Sequence, residues 1–179
     1  MRNQRTQRLV LAALFAALTA VCAQISLPLP PVPASLAVFS VLLCGASLGP
    51  RWGALAIGGY VVMGAIGLPV FAGFRGGPNV LFGATGGYLI GYILCAYAVG
   101  ALARRLPPTA PARFAAIALC RPLCYVPGTL WMMLITRADA LTAALSGMIA
   151  FIPGDLLKAL LAAMLSVRLM RALPLLYHR

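Results

Sequence analysis

Asp155 and Lys158 are the two residues of this chain whose types and spacing best suit polar chemistry. They stand three positions apart in an apolar segment, and residues at that spacing share one face of a helix. Pro153 favours a helix start just before them, which would place the Asp155 carboxylate in the first turn, where the helix dipole stabilises negative charge. A charge inside a membrane-spanning segment costs at least about 2.5–3.5 kcal/mol, so such residues are usually paired or functional. The pair therefore predicts either a structural ion pair or a binding site for a ligand with both N–H and C=O groups.

Few other residues could support catalysis or metal binding. The chain has two carboxylates, Asp139 and Asp155, and one histidine, His178, next to the C-terminal residue. Zinc sites, Mg²⁺ sites for phosphoryl transfer and Ser-His-Asp triads all need more such groups. The sequence also lacks a G-x-x-x-x-G-K-[ST] phosphate-binding loop. We therefore expect no enzyme activity, no catalytic residues, no metal and no cofactor, and we expect that any ATP hydrolysis takes place on a partner.

The cysteines do not form a recognisable metal-binding or redox motif. All five lie in apolar stretches and no C-x-x-C occurs: Cys22, Cys44, Cys95, Cys120 and Cys124. Cysteine in such surroundings usually fills space as a small hydrophobic residue. A metal or disulfide role is the alternative.

A loop rich in glycine and aromatic residues precedes a regular stripe of glycines. Residues 71–79 include Phe74, Arg75 and Asn79, a composition typical of loops that cover a ligand. An aromatic belt at the membrane interface is the alternative. The stripe has a period of four, with one further glycine beside it: Gly83, Gly87, Gly91 and Gly86. Because glycine disfavours helices, this stripe predicts a close approach of the backbone to another helix or to a ligand.

A row of alanines occupies one face of the first apolar segment. Ala12, Ala16 and Ala20 are four apart, and Ala13 and Ala17 lie beside them. Small residues at this spacing let helices approach closely in lipid. The row predicts either packing inside the helix bundle or a face for docking a partner.

The composition indicates an integral membrane protein. Of 179 residues, 63% are hydrophobic and 9% are charged, and the mean hydropathy is +0.99. Soluble domains are about 25% charged. The net charge of +12 would suit a nucleic-acid partner, but the arginines are scattered over separate segments rather than forming one stripe. We therefore predict an all-α membrane protein that does not bind nucleic acid.

Six apolar spans are predicted within a single domain, residues 1–179. They cover residues 9–25, 36–48, 54–68, 83–103, 112–136 and 153–170. As one helix, residues 141–170 would be about 45 Å long, more than the ~30 Å hydrocarbon core. We therefore expect 141–150 to form a short interfacial piece, with a kinked long helix as the alternative. A cluster of prolines separates the first two spans: Pro28, Pro30, Pro31 and Pro33.

The arginines predict the orientation of the chain in the membrane. With the N-terminus in the cytoplasm, ten arginines fall in inner segments: Arg2, Arg5, Arg8, Arg51, Arg104, Arg105, Arg113, Arg168, Arg171 and Arg179. Two, Arg75 and Arg137, fall outside, so the positive-inside rule places both termini in the cytoplasm. The first span is similar to a signal peptide but is expected to remain uncleaved, since five spans follow. Arg121 lies within a span without an evident acidic partner and is given no role.

Several motifs in combination resemble the BioY family, the biotin-specific S components of energy-coupling factor (ECF) transporters. The matching residues are Leu-Pro-Val-Phe-Ala-Gly-Phe at 68–74, Gly-Gly at 76–77, Gly-Ala-Thr-Gly-Gly-Tyr-Leu-Ile-Gly at 83–91 and Ile-Pro-Gly-Asp-Leu-Leu-Lys at 152–158. The proline-rich stretch 27–33 and the alanine row also fit the resemblance. One departure is Ala84, where the family usually has proline.

The resemblance implies a six-helix S-component fold that binds biotin near the outer face. It implies biotin contacts for Asp155, Lys158 and, with them, loop residues and the following helix start: Asn79, Arg75, Phe74, Gly86 and Tyr88. The alanine row, Ala12, Ala13, Ala16, Ala17 and Ala20, would dock a transmembrane T component that is coupled to two ATPase subunits. The location would be the cytoplasmic (inner) membrane of a prokaryote.

Other functions stay open at this point. One is a carrier, solitary or homo-oligomeric, that works without partners and uses Asp155 as a proton site. A membrane-embedded transferase would need an acid/base pair or a metal cluster, which the two carboxylates do not provide. A purely structural protein would not explain Asp155 and Lys158 on one face.

Overall fold

Helices account for most of the chain, and one short β-hairpin interrupts them. The computed structural model describes residues 2–29 and 32–173, so Pro30, Pro31, His178 and Arg179 lie outside the described residues. The elements in chain order are α1 (Arg2–Gln24), β1 (Ser26–Leu27), β2 (Ala34–Ser35), α2 (Ala37–Leu48), α3 (Pro50–Ala65), α4 (Pro78–Leu81), α5 (Gly86–Arg105), α6 (Ala110–Cys120), α7 (Pro122–Thr136), α8 (Ala140–Gly147), a 3₁₀ turn (Ile149–Phe151) and α9 (Ile152–Ala172).

The predicted all-α architecture is confirmed, and each predicted span coincides with a helix or a pair of helices. The first span begins earlier than predicted, at Arg2, because helix formation extends into polar residues that a count of apolar positions leaves out. The fifth span divides into α6 and α7 at Arg121, because Pro122 has no N–H to continue the hydrogen-bond ladder. Arg121 itself keeps helical φ and ψ angles of −55° and −41°, so α6 and α7 run on as one rod.

Among the residues that the structure describes, three helical segments are long and apolar enough to cross a membrane by themselves. They are Gln4–Gln24, Gly86–Arg105 and Ala110–Thr136. The predicted division after residue 150 is also observed, because α8 and α9 meet at 40° across the 3₁₀ turn; taken as one bent span, the pair would be a fourth segment of sufficient length and apolar composition. α2 has 12 residues and α3 has 16, and these two are shorter than a full span.

The centre of the bundle is formed by α2 and α5. Residues 40–48 of α2 are all buried, because this helix packs against α1, α3, α5 and α9. A buried hydrogen bond of 2.8 Å joins the hydroxyl oxygens of Thr19 in α1 and Ser40 in α2. The five cysteines are buried and free, which agrees with their predicted use as small apolar residues.

The glycine stripe brings α5 close to α7. A Cβ atom on Gly91 would lie 2.8 Å from the carbonyl oxygen of Cys124, and one on Gly87 would lie 2.5 Å from that of Pro127. These contacts are with backbone atoms, which cannot rotate away. Of the two predicted reasons for the stripe, close approach to another helix is therefore confirmed.

Candidate functional site

Two adjoining pockets lie at the end of the bundle where α2 begins, beside the hairpin of β1 and β2. They share Pro33, Ser35, Tyr88 and Tyr92 among their lining residues. We call the first the aromatic pocket; it has about 480 Å³ of empty volume, partly open to solvent, and is lined also by Tyr60, Phe71 and Arg75. We call the second the charged pocket; it has about 350 Å³ and is lined also by Arg121, Tyr125, Asp155 and Lys158.

The charged pocket is organised around the Asp155 carboxylate. Asp155 lies in the first turn of α9 and is only 6% exposed. Its Oδ1 accepts a hydrogen bond of 3.1 Å from Lys158 Nζ, and its Oδ2 accepts one of 2.7 Å from the Tyr125 hydroxyl. Arg121 Nη2 donates to the same Oδ2. The predicted common face of Asp155 and Lys158 is confirmed, and both carboxylate oxygens already have partners within the protein.

Arg121 has an acidic partner in the structure, although none is evident from its surroundings in the sequence. The arginine is 9% exposed and forms an ion pair with Asp155, 34 positions further along the chain. Its guanidinium carbon also lies 4.7 Å from the centre of the Tyr125 ring, a distance typical of a cation–π contact. The scarcity of acidic residues could have indicated this ion pair. The sequence contains only two carboxylate side chains, Asp139 and Asp155, with which a buried arginine could pair.

Lys158 connects the charged pocket to the hairpin. Its Nζ donates a hydrogen bond of 2.8 Å to the backbone carbonyl of Ser35 in β2. β2 pairs antiparallel with β1, with Ser35 opposite Ser26. Val32, Pro33 and Ser35 therefore form one wall of both pockets, and a charged side chain holds this wall against α9.

The structure brings Tyr88 and Arg75 to the pockets. Tyr88 in α5 lines both of them, and its hydroxyl donates a hydrogen bond of 2.7 Å to the Gly147 carbonyl, so its ring is the part that can contact a ligand. Arg75 is exposed and lines the aromatic pocket. Their contact with a ligand stays a prediction.

Phe74, Asn79 and Gly86 are absent from the lining of these two pockets. Phe74 is 73% exposed, and Asn79 is exposed on α4. Gly86 is buried against the carbonyl of Leu81, where no Cβ would fit, so close packing accounts for this glycine, and its contact with a ligand stays a prediction.

Gln24 holds the loop that contains Phe74, a role that the sequence did not reveal. Its Oε1 accepts a hydrogen bond of 2.9 Å from the backbone N–H of Phe74, and its Nε2 donates one of 3.3 Å to the Phe71 carbonyl. The end of α1 therefore fixes the loop beside the aromatic pocket.

The alanine row divides between two surroundings. Ala12 and Ala16 are buried in the core, and Ala20 is half-buried, whereas Ala13 and Ala17 are exposed. The prediction that Ala12 and Ala16 face a partner is therefore wrong, because they pack inside the bundle. Docking through Ala13 and Ala17 stays a prediction.

Comparisons with known proteins agree with this architecture. The profile of the BioY family matches residues 1–175. The chain is 41% identical to the biotin transporter BioY of Thermotoga maritima over 163 residues, covering 91% of this chain and 95% of that protein. It is 39% identical to the probable biotin transporter BioY of Pyrococcus horikoshii, covering 92% and 97%. The crystal structure at 2.1 Å of the S component for biotin from an ECF-type ABC transporter matches with a TM-score of 0.89 and 26% identity over 96% of this chain and 94% of that one. The chain belongs to the BioY family.

Proposed function

We propose that this protein binds biotin in the charged and aromatic pockets and serves as the substrate-binding S component of an ECF-type transporter. The observation that carries the proposal is the buried cluster of Asp155, Lys158 and Arg121 at a pocket between the hairpin and α9. A cluster of charges inside an apolar bundle costs free energy, so residues of this kind usually have a function. The relatives named as biotin transporters, and the solved S component for biotin, support the choice of ligand.

The chemistry of biotin suits the two pockets. Biotin has a ureido group with two donors and one acceptor, an apolar bicyclic ring, an aliphatic tail and a carboxylate. The rings of Tyr60, Phe71 and Tyr88 offer apolar walls for the ring and tail. The nitrogen atoms of Lys158 and Arg121 offer donors to the carbonyl or the carboxylate of the ligand.

The energy for transport would come from a T component and two ATPase subunits. The chain has no phosphate-binding loop of its own. The exposed face of α1 that contains Ala13 and Ala17 is suited to close contact with a transmembrane helix, because small residues allow two backbones to approach.

The distribution of arginines supports a cytoplasmic-membrane location with both termini inside. Arg104 at the end of α5 lies against Gly49, near the charges of Arg8 and Arg51. Three separate helices thus bring basic residues to one end of the bundle, and the pockets lie beside the hairpin at the other. The positive-inside rule assigns the basic end to the cytoplasm and the pockets to the outer side.

Biotin binding is tested directly with the purified protein. Radiolabelled biotin should bind saturably, unlabelled biotin should compete, and thiamine should not. Protein purified from rich medium should also release biotin, detectable by mass spectrometry. Folded protein that shows no saturable biotin binding would contradict the proposal. Biotin uptake by cells that lack all T and ATPase subunits would instead favour the partner-independent carrier.

Docking through α1 is tested by enlarging its exposed alanines. Ala13→Leu together with Ala17→Leu should leave biotin binding unchanged, because neither residue lines a pocket, while co-purification with the T component should fall at least about tenfold, in line with the dependence of such contacts on small residues. Leu14→Ile, a substitution of similar volume at an exposed position of the same helix, is the matched control. Wild-type recovery of the T component with the double variant would exclude this docking face.

A further inference from the structure

Three arginines from three helices come together at the end of the bundle opposite the pockets. α3 packs against both α1 and α5, and the charges of Arg8 in α1 and Arg51 in α3 lie near that of Arg104 in α5. Arg51 and Arg104 are exposed, and Arg8 is half-buried. We call these three residues the arginine cluster. Because like charges repel, the cluster raises the free energy of the folded protein unless an anion lies beside it.

The chain supplies no carboxylate side chain to the arginine cluster. The sequence has two acidic residues in all. Asp155 is paired with Arg121 and Lys158 beside the pockets. Asp139 is exposed at the start of α8, where it accepts a hydrogen bond of 3.0 Å from a backbone N–H of that helix. An anion that offsets the arginine cluster must therefore come from another molecule.

Arg104 is held in position by the turn between α2 and α3. Its guanidinium lies across Gly49, where an added Cβ would be 2.5 Å from Nε and 2.6 Å from Nη2. Gly49 is the C-cap of α2 and has a φ angle of +81°, which favours glycine. The carbonyl end of a helix stabilises a cation. One donor of the cluster is therefore already in place before any ligand binds, which lowers the entropy cost of binding.

The surroundings of the arginine cluster are typical of a membrane surface. Trp52, the neighbour of Arg51, is half-buried, and tryptophan is enriched at the level of the lipid headgroups. Leu55 is exposed one turn further along α3, and Leu9 is exposed directly after Arg8. Positive charge thus meets exposed apolar surface at this place. A phospholipid matches both parts, with its phosphate and its acyl chains, whereas an acidic protein segment matches only the charge.

We propose that the arginine cluster binds the phosphate of an anionic phospholipid, whose acyl chains lie against Leu55 and Leu9. Guanidinium groups bind phosphate oxygens through two parallel hydrogen bonds. Each basic residue near a membrane surface strengthens the attraction for anionic lipid roughly fivefold. In the orientation proposed above, this lipid belongs to the cytoplasmic leaflet. The site is separate from the pockets, so biotin binding and lipid binding are measured independently.

The proposal is tested first with the unchanged protein, delipidated in a neutral detergent. Phosphatidylglycerol and phosphatidylcholine with the same acyl chains are titrated, and native mass spectrometry counts the bound lipid. Phosphatidylglycerol should bind at least about tenfold more tightly, because only its headgroup has a net negative charge. Equal affinities would overturn the proposal. Inorganic phosphate in large excess should not displace phosphatidylglycerol, and full displacement would show a site for a free anion instead.

Two charge-matched double variants then test the position of the site. Arg51→Gln with Arg104→Gln should lower the preference for phosphatidylglycerol at least about tenfold. Arg168→Gln with Arg171→Gln is the matched control, because it removes two exposed arginines of α9 from the same end of the bundle. The control should change the preference less than about threefold, the scatter expected for distant charges. In both variants biotin binding reports that the protein is folded.

Two results with these variants would overturn the proposal. An equal loss of preference in both would show attraction to the overall charge rather than to the arginine cluster. An unchanged lipid preference together with lost co-purification of the T component, in Arg51→Gln with Arg104→Gln, would show that the cluster binds an acidic protein surface.

Discussion

Replacing Asp155 with asparagine is expected to destabilise the protein by about 3–5 kcal/mol, the usual cost of removing one partner of a buried ion pair. Arg121 and Lys158 would then be two buried cations with no negative charge between them. The Tyr125 hydroxyl would lose the acceptor that it reaches at 2.7 Å. Biotin affinity should fall at least tenfold, roughly 1.4 kcal/mol or more, because the donors that face the pocket would no longer be held in place. Thermal unfolding in detergent and equilibrium biotin binding measure the two effects.

The double variant Asp155→Asn with Arg121→Gln separates charge balance from simple loss of contacts. Removing one cation as well leaves a single positive charge, so the double variant should be more stable than the sum of the two single effects predicts, by about 0.5–3 kcal/mol, a coupling typical of residues in direct contact. It should not regain biotin affinity, because the ligand donor is also removed. Purely additive effects of the two substitutions on stability would show that the Arg121–Asp155 pair seen in the structure is energetically unimportant.

Replacing Gly87 with alanine is expected to force α5 and α7 apart and to cost about 1–3 kcal/mol, the range for overpacked interiors. The added methyl group would meet the Pro127 carbonyl at 2.5 Å and the Cβ of Trp131, and neither atom can move without its helix. Tyr88 follows in the chain and lines both pockets, so biotin affinity should also fall. The melting temperature and the biotin dissociation constant report these two losses.

Gly59→Ala is the matched control for this substitution. Gly59 is exposed in α3, and a Cβ there would have no atom within 4 Å. Alanine should therefore stabilise the helix by about 0.5–1 kcal/mol, through the lower backbone entropy of the unfolded chain. If both variants were stabilised alike, the close approach of α5 to α7 would be refuted.

The positions of the helices and the Asp155–Lys158 pair could be predicted because both depend on local patterns. Apolar runs of sufficient length predict the spans. Two residues three positions apart lie on the same face of a helix, whatever the helix packs against. Pro153 likewise predicted the start of the last helix to within one residue of its observed start at Ile152.

The remaining part of the site depends on contacts between distant segments. Arg121 meets Asp155 across 34 positions only because α6 packs along α9. The bond from Lys158 to the Ser35 carbonyl spans 123 positions and uses a backbone atom, which leaves no mark in the sequence. The alanine row failed as a guide for a related reason: small residues permit close packing on either side of a helix, so their spacing cannot tell the interior of the bundle from its surface.

The shortness of α2 determines how deep the site lies. Its 12 residues extend about 18 Å, whereas the hydrocarbon core is about 30 Å thick. A helix of this length could not face lipid without exposing its polar ends, but the surrounding helices shield it on all sides. Its last residue joins α3 through Gly49 alone, so α2 falls short of a full span at its first residue, Ala37, which lines the aromatic pocket. The beginning of α2 therefore leaves space beside the hairpin, and the two pockets occupy that space inside the bundle.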